Sequence, residues 1–279
     1  MTFSTPPFYH QMNGMNLCEV NGPDSEDFLQ RLLTNDLKAM SVNEIQLTSW
    51  CNIKGRVSAL FRIIKLSNGF ILVITDFNFN QVVQDLNKYL FNSKVSIDNI
   101  TDEYHIFVSH GMKIKNKSNL VFQENSLTWE LKEVEGDPMT KSNRNEALNA
   151  KNLISLHQIN NLVPSLTEKL CDKFLPQEIN LENLGGLSFS KGCFPGQEII
   201  ARVKYRGKVK KRLVKLISKS PDSSKRLFTR ITNEKGEPMG IIIDTAKDDH
   251  GFRHVLAILS DINCNELFLD EELSIIPNE

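Results

Sequence analysis

Lys191-Gly192-Cys193-Phe194-Pro195-Gly196-Gln197-Glu198 is the stretch on which the fold reading turns. Gly192 and Gly196 bracket a cysteine and a proline, so the backbone turns sharply there. Pro195 suits the first position of a helix, because its missing N–H would have no helical partner anyway. Gln197 to Ala201 reads as a short helix. A thiol just before a helix start sits where unpaired N–H groups and the positive dipole end favour an anion. Lys191, two residues earlier, acts in the same direction. These are the conditions that stabilise an accessible thiolate. The same residues also suit a tight turn around a small buried cysteine, and the local pattern leaves both readings open.

Outward from this octet, the chain alternates strand and helix patterns. Asn16 to Val20 reads as a strand. Pro23-Asp24-Ser25 reads as a helix start with Asp24 or Ser25 as cap, followed by Phe28, Leu29, Leu32 and Leu33 on one face. Thr34-Asn35-Asp36 reads as a helix-ending turn. Ile45 to Trp50 and Val57 to Ile63 alternate, with Cys51-Asn52-Ile53-Lys54-Gly55-Arg56 as the hairpin turn between them. Ser67-Asn68-Gly69 is a second turn before the β-rich Phe70 to Thr75. Phe79, Val82, Val83, Leu86 and Leu90 mark an amphipathic helix. Tyr104 to Ser109 and Leu127 to Val134 read as strands, and Asn143 to Gln158 as a helix. Hairpin-connected strands with interleaved helices predict an α+β fold. From about residue 208, strands at Lys210 to Ile217, Gly240 to Asp244 and His254 to Leu259, with a loop at Ser220-Pro221-Asp222-Ser223-Ser224, predict a small C-terminal β-barrel. The expected division is a body over 1–205 and a barrel over 206–279.

The 279 residues are enough for two or three packed units. A net charge of −1 conceals an uneven distribution. Arg202 to Arg230 holds twelve Lys/Arg and one acid, while Asn233 to Glu279 holds eleven acids and three Lys/Arg. The basic stretch suits either a phosphate- or carboxylate-rich partner or a solvated strand face. No aromatic stripe of the RNA-recognition type and no zinc-finger spacing accompanies it, so direct nucleic-acid recognition is only weakly supported and is not the expected mode. Five unevenly spaced cysteines, Cys18, Cys51, Cys171, Cys193 and Cys264, form neither a disulfide framework nor a zinc motif. With no signal-peptide pattern and no membrane-length apolar run, the expected compartment is the cytoplasm, without membrane contact.

The octet resembles the signature K-G-C-Y/F-x-G-Q-E of the YgfZ family, folate-binding-type proteins related in fold to the glycine-cleavage T protein. Phe174 to Leu181 and Gly185-Gly186-Leu187-Ser188-Phe189 resemble the family's approach to that signature. Phe28-Leu29-Gln30 with Thr34-Asn35-Asp36-Leu37, and Cys51 to Arg56, match nearer the N-terminus. The likeness touches about residues 15–212 and leaves 110–150 unmatched.

The resemblance implies a T-protein-like mixed α/β body with ferredoxin-like units and antiparallel sheet, ahead of the barrel. It implies tetrahydrofolate or a derivative as cofactor, iron–sulfur client proteins as partners, and an accessory role in maintaining iron–sulfur enzymes, including those that modify tRNA. The candidate chemistry is then a reactive Cys193 assisted by Lys191, with Gly192 and Gly196 as structural members of the signature. Candidates for the folate cavity are Asn35, Asp36, Trp50, Gln197, Glu198, Arg202 and Arg206. Trp50 equally suits a core position on a strand face. No histidine lies near Cys193 in sequence, which gives no support to a Cys–His hydrolase. One thiol suits a passing iron–sulfur contact and not a resident cluster. The rival functions are a folate-dependent aminomethyltransferase and a plain binding module. In the aminomethyltransferases the hairpin resembles Gly-Gly-x-x-Asp-Asp, with an acid that helps activate the folate. Here the corresponding turn carries Lys54 and Arg56 and no carboxylate, which argues against transfer chemistry.

Overall fold

The computed structural model describes residues 5–112, 120–134, 144–218, 227–260, 267–268 and 272–276. In chain order its elements are β1 (Phe8–Gln11), β2 (Met15–Asn21), α1 (Ser25–Gln30), β3 (Ile45–Cys51), β4 (Val57–Lys65), β5 (Gly69–Thr75), α2 (Asp76–Lys88), β6 (Ser96–Asn99), β7 (Tyr104–His110), β8 (Leu120–Glu124), β9 (Leu127–Glu133), α3 (Arg144–Asn160), α4 (Gln197–Arg206), β10 (Arg212–Ser218), β11 (Arg230–Thr232), β12 (Pro238–Lys247), β13 (Arg253–Leu259), β14 (Leu267–Phe268) and β15 (Glu272–Ile276). Cys264 and the loop expected at Ser220 to Ser224 lie outside the described residues. The expected cap at α1 differs in detail. Asp24 holds the cap position without a capping bond, and its carboxylate instead accepts from the Lys94 backbone N–H at 2.7 Å.

The first sheet has the antiparallel order β3-β4-β5-β2-β6 and is buried on both faces. Strand alternation divides its apolar residues cleanly. Ala59, Phe61, Ile63, Phe70, Leu72 and Ile74 face α1 and α2, where they meet Phe28, Leu29, Phe79, Val82 and Leu86. Ile64, Ile71 and Val73 face the second sheet, of order β1-β7-β9-β8, and meet Ile106, Val108, Phe122, Trp129 and Leu131. Burying each large apolar side chain contributes about 1.5–3 kcal/mol, so this two-faced sheet is the main stabilising unit. Arg62 falls between Leu60 and Ile64 on β4, and the pleat turns it towards the second sheet.

Strands β10 to β15 pair in the closed order β10-β13-β12-β11-β14-β15. Leu216, Ile231, Ile242, Val255, Ala257 and Leu259 pack together on one side of these strands. The alternate residues Leu213, Ile243, Leu256 and Ile258 pack with Phe174, Leu175, Phe194 and Ile200 of the signature region. The expected division at 205/206 therefore falls in the last turn of α4, and the two parts share a core across it. No helix among the described residues is long and apolar enough to cross a membrane.

Candidate functional site

The octet is pinned at two points with its thiol left outside. Lys191 is buried, and its ammonium donates to the carbonyls of Gln30 at 2.5 Å, Leu33 at 2.5 Å and Asn35 at 2.8 Å. An ammonium has three donors, and all three are engaged. The acceptors lie at the C-terminal end of α1 and in the turn after it, where helical carbonyls lack intrahelical partners. Burial pushes the Lys191 pKa down to about 8, against the upward pull of the Asp36 carboxylate. The expected role of Lys191 beside the thiol is thereby corrected: it is a strut tying the signature to Thr34-Asn35-Asp36. Phe194, on the other side, is buried in the shared core. Between them Gly192 has no neighbour within 4 Å of a Cβ position, and Cys193 is exposed.

That exposure removes the reading of Cys193 as a buried cysteine. Burial pushes the Cys18 and Cys51 thiols up to about 12, and raises that of the half-buried Cys171. Among the described residues, Cys193 is the exposed thiol. Helix α4 starts two residues later than a first-position Pro195 would place it. Gly196 is the residue before the helix, at φ +77°, and the helix continues to Arg206 before Gly207 ends it.

The Cys51 to Arg56 hairpin packs directly on this start. A Cβ on Gly196 would stand 2.4 Å from the Asn52 carbonyl and 2.5 Å from both N and Cα of Gly55. Asn52 shapes the turn, its side-chain oxygen accepting from the N–H groups of Lys54 at 2.9 Å and Arg56 at 3.1 Å. Its amide donates to Asp172 at 2.8 Å. Arg56 donates to Glu178 at 2.9 Å and to the Lys173 carbonyl at 3.1 Å. Glu178 is itself buried and also accepts from the Leu175 N–H at 3.0 Å. Gln177, its neighbour, donates to the Ile200 carbonyl in α4 at 2.7 Å. The hairpin, the 172–178 segment and the octet are thus one knot, built from stretches about 120 residues apart in sequence.

A second polar group lies where the two sheets meet α3. It is a crevice of about 20 Å³ lined by Leu47, Arg62, Glu124, Leu127, His157, Asn161 and neighbouring residues. Glu124 accepts from Arg62 Nε at 2.6 Å and from Trp129 Nε1 at 2.9 Å. The Arg62 guanidinium also stacks 4.4 Å from the centre of the Trp129 ring. His157 Nε2 lies 3.3 Å from the Asn161 side-chain nitrogen and 3.4 Å from the Ser126 hydroxyl. Asn161 can only donate there, which fits a neutral imidazole. Burial, then the neighbouring His110 and Arg62, pushes the His157 pKa down to about 4.

The sign of the resulting pH effect follows from linkage. Between pH 6.5 and 4 the unfolded imidazole takes up a proton that the folded one does not, so stability falls as pH falls through that window. The full loss is about 3 kcal/mol at 1.36 kcal/mol per pKa unit. His157→Gln is expected to flatten this part of the curve, as read from urea midpoints at pH 7, 5.5 and 4.5. Equal pH dependence in the two proteins would contradict the assignment.

None of the residues expected from the sequence to form the folate cavity lines this crevice. Trp50 is buried on the opposite face of β3, packed with the α1 and α2 core and 5.6 Å from the Tyr89 ring. Asn35 donates to Gln46 at 2.6 Å and to the Leu47 carbonyl at 3.2 Å, and Asp36 accepts from Gln30 at 2.8 Å, so both are committed to the turn. Gln197, Glu198, Arg202 and Arg206 all lie along α4, with the last three exposed. No motif in the sequence singles out Arg62, Glu124 or His157, which line the crevice. A signal for Arg62 did exist, since its parity in the run Val57 to Lys65 places it with Leu60 and Ile64 on a core face. Among the described residues no group of three or more His, Cys, Asp or Glu is placed to hold a metal.

The model of the GCVT N-terminal domain matches residues 9–116. The tRNA-modifying protein YgfZ of Aliivibrio fischeri strain MJ11 is 26% identical over 267 residues, covering 89% of this chain and 84% of its own. That of Buchnera aphidicola subsp. Schizaphis graminum is 29% identical over 260 residues, covering 85% and 77%. In structure, the glycine cleavage system aminomethyltransferase T of Bartonella henselae superposes with a TM-score of 0.74 over 96% of this chain and 84% of its own, at 14% identity. The likeness to that enzyme is one of fold.

Proposed function

The chain belongs to the YgfZ family, and on that premise we propose that it is a folate-binding accessory factor supporting the synthesis or repair of iron–sulfur enzymes, including enzymes that modify tRNA. The observation that carries this reading against a transferase is the hairpin. Where an aminomethyltransferase resembling this fold has an acid, this turn has Lys54 and Arg56. Arg56 is not free to act as a substitute, because it is paired with buried Glu178 and the Lys173 carbonyl. A proton carrier must reach the reacting amine with a suitable pKa, and no carboxylate stands in this turn to do so.

The crevice chemistry fits a pterin edge. Glu124 offers an acceptor, while Arg62 and Gln158 offer donors. Among the described residues nothing accepts from the Arg62 Nη groups. The volume is much smaller than the roughly 300 Å³ at the low end of small-molecule pockets, so binding requires the crevice to widen. A tetrahydrofolate would carry the one-carbon or redox chemistry. The chain would supply Glu124 and Arg62 to orient its ring, with Leu47 and Leu127 to exclude water. Cys193, exposed and rigidly flanked, suits a passing contact with the iron or cluster of a client.

Two measurements test this reading. Given an aminomethyl donor and tetrahydrofolate, the protein is expected to release no folate-bound one-carbon unit above a no-enzyme control. Robust turnover would refute the accessory reading in favour of the transferase. In cells lacking the gene, thiolated tRNA nucleosides measured by mass spectrometry are expected to fall. Wild type should restore them and Cys193→Ser should not. Full restoration by the serine variant would remove the thiol from the account.

A further inference from the structure

Apart from Lys204, the cations that α4 and the segment after it turn to solvent pair with no carboxylate among the described residues. From Arg202 to Arg212 the sequence has seven Lys/Arg and no acid. Lys204 pairs with Glu182. Arg202, Arg206, Lys208, Lys210, Lys211 and Arg212 are exposed, and none pairs with a carboxylate among the described residues. Arg202 and Arg206 are four residues apart on one helical face, with Ile200 buried and Val203 packed on the core behind them. Tyr205, beside them, is 70% exposed. Its ring is not covered, because Phe189 supports it edge-on at 6.0 Å. Glu182 and Phe189 thus hold the helix from behind while its cations and one aromatic face outward. The hairpin tip adjoins the start of the helix through Gly55 and Gly196, and adds exposed Ile53 and Lys54.

We propose that this face binds a structured RNA, tRNA in particular, through its phosphates and one unpaired base. The choice of tRNA rests on the reading of the chain as a tRNA-modification factor; the choice of polyanion rests on the surface alone. Clustered unpaired cations neutralise phosphates without reading sequence. An exposed tyrosine among them is the usual platform for an unstacked base. An acidic protein surface would meet the same cations, but it would not require a tyrosine ring.

The test is fluorescence anisotropy of a labelled tRNA transcript with the full chain and no folate present, so its outcome is independent of the folate reading. Wild type is expected to bind with a salt-sensitive Kd. The double variant Arg202→Ala/Arg206→Ala should weaken binding on the order of tenfold. It should also lower the slope of log Kd against log salt by about 1.4–1.8, at roughly 0.7–0.9 per lost phosphate contact. Tyr205→Ala should weaken it roughly 5–100-fold, as for a lost stacking platform, while Tyr205→Phe should bind like wild type. Circular dichroism confirms that each variant is folded. Three results would overturn the proposal: no tRNA binding by wild type at low salt, folded variants that bind like wild type, or displacement of tRNA by poly-L-glutamate at equal charge. The last would assign the face to an acidic protein.

Discussion

Gly196→Ala is expected to destabilise the protein by about 3 kcal/mol or more, while Gly192→Ala, four residues away in the same octet, is expected to be nearly neutral. At Gly196 two costs add. Its φ of +77° is a left-handed conformation that an alanine adopts only at about 1–2 kcal/mol. The new Cβ would also stand 2.4–2.5 Å from the Asn52 carbonyl and the Gly55 backbone. Those are backbone atoms of a turn fixed by Asn52, Asp172 and Arg56, so they cannot swing aside as a flexible side chain would. Relief requires the hairpin to lift off α4, which would break the contact that joins the two motifs. At Gly192 neither cost applies, since open space surrounds the Cβ position. The loss of unfolded-state freedom there could add about 0.4–1 kcal/mol of stability. Urea unfolding of the three proteins measures the contrast. Equal midpoints for the two variants would show that the hairpin does not rest on Gly196.

Lys191→Met should be the next most damaging change, at about 3 kcal/mol or more. The methionine fills a similar volume but leaves the carbonyls of Gln30, Leu33 and Asn35 without the donor they share. Each buried acceptor left unmet costs about 1–3 kcal/mol, offset in part by no longer burying a charge. The pH dependence gives an independent check. The folded Lys191 pKa, at about 8, lies below the unfolded value of 10.5. Between those values the unfolded chain binds more protons, so the lysine's contribution to stability rises with pH. The gap between wild type and Lys191→Met is therefore expected to widen from pH 8 to pH 10. A gap that narrows would contradict the buried placement of this ammonium.

The sequence was most legible where its signal is local. Alternation over Ile45 to Trp50, Val57 to Ile63 and Phe70 to Thr75 placed three strands, because pleating alone fixes which residues share a face. The octet was legible as a turn into a helix, since glycine and proline punctuate the backbone whatever surrounds them. What could not be read was where distant segments meet. Gly55 and Gly196 touch across 141 positions, and each glycine alone looks like an ordinary turn residue. Lys191 looked like an electrostatic neighbour of Cys193 because the two are adjacent in sequence, yet its side chain runs the other way into the α1 carbonyls. Trp50 was ambiguous for a similar reason: alternation gives two faces, and only the packing of α1 and α2 shows which is the closed core. The crevice was hidden because Arg62, Glu124 and His157 lie on three separate elements.

Titration calorimetry of tetrahydrofolate against the full chain and against Glu124→Gln bears most directly on the central claim, that a folate is held in the crevice without being turned over. Wild type is expected to give saturable one-to-one heat. The folded Glu124→Gln variant is expected to bind at least about tenfold more weakly, because it loses the charge that orients Arg62 and the carboxylate acceptor in the crevice. No heat with wild type, or the same affinity in the variant, would contradict the claim.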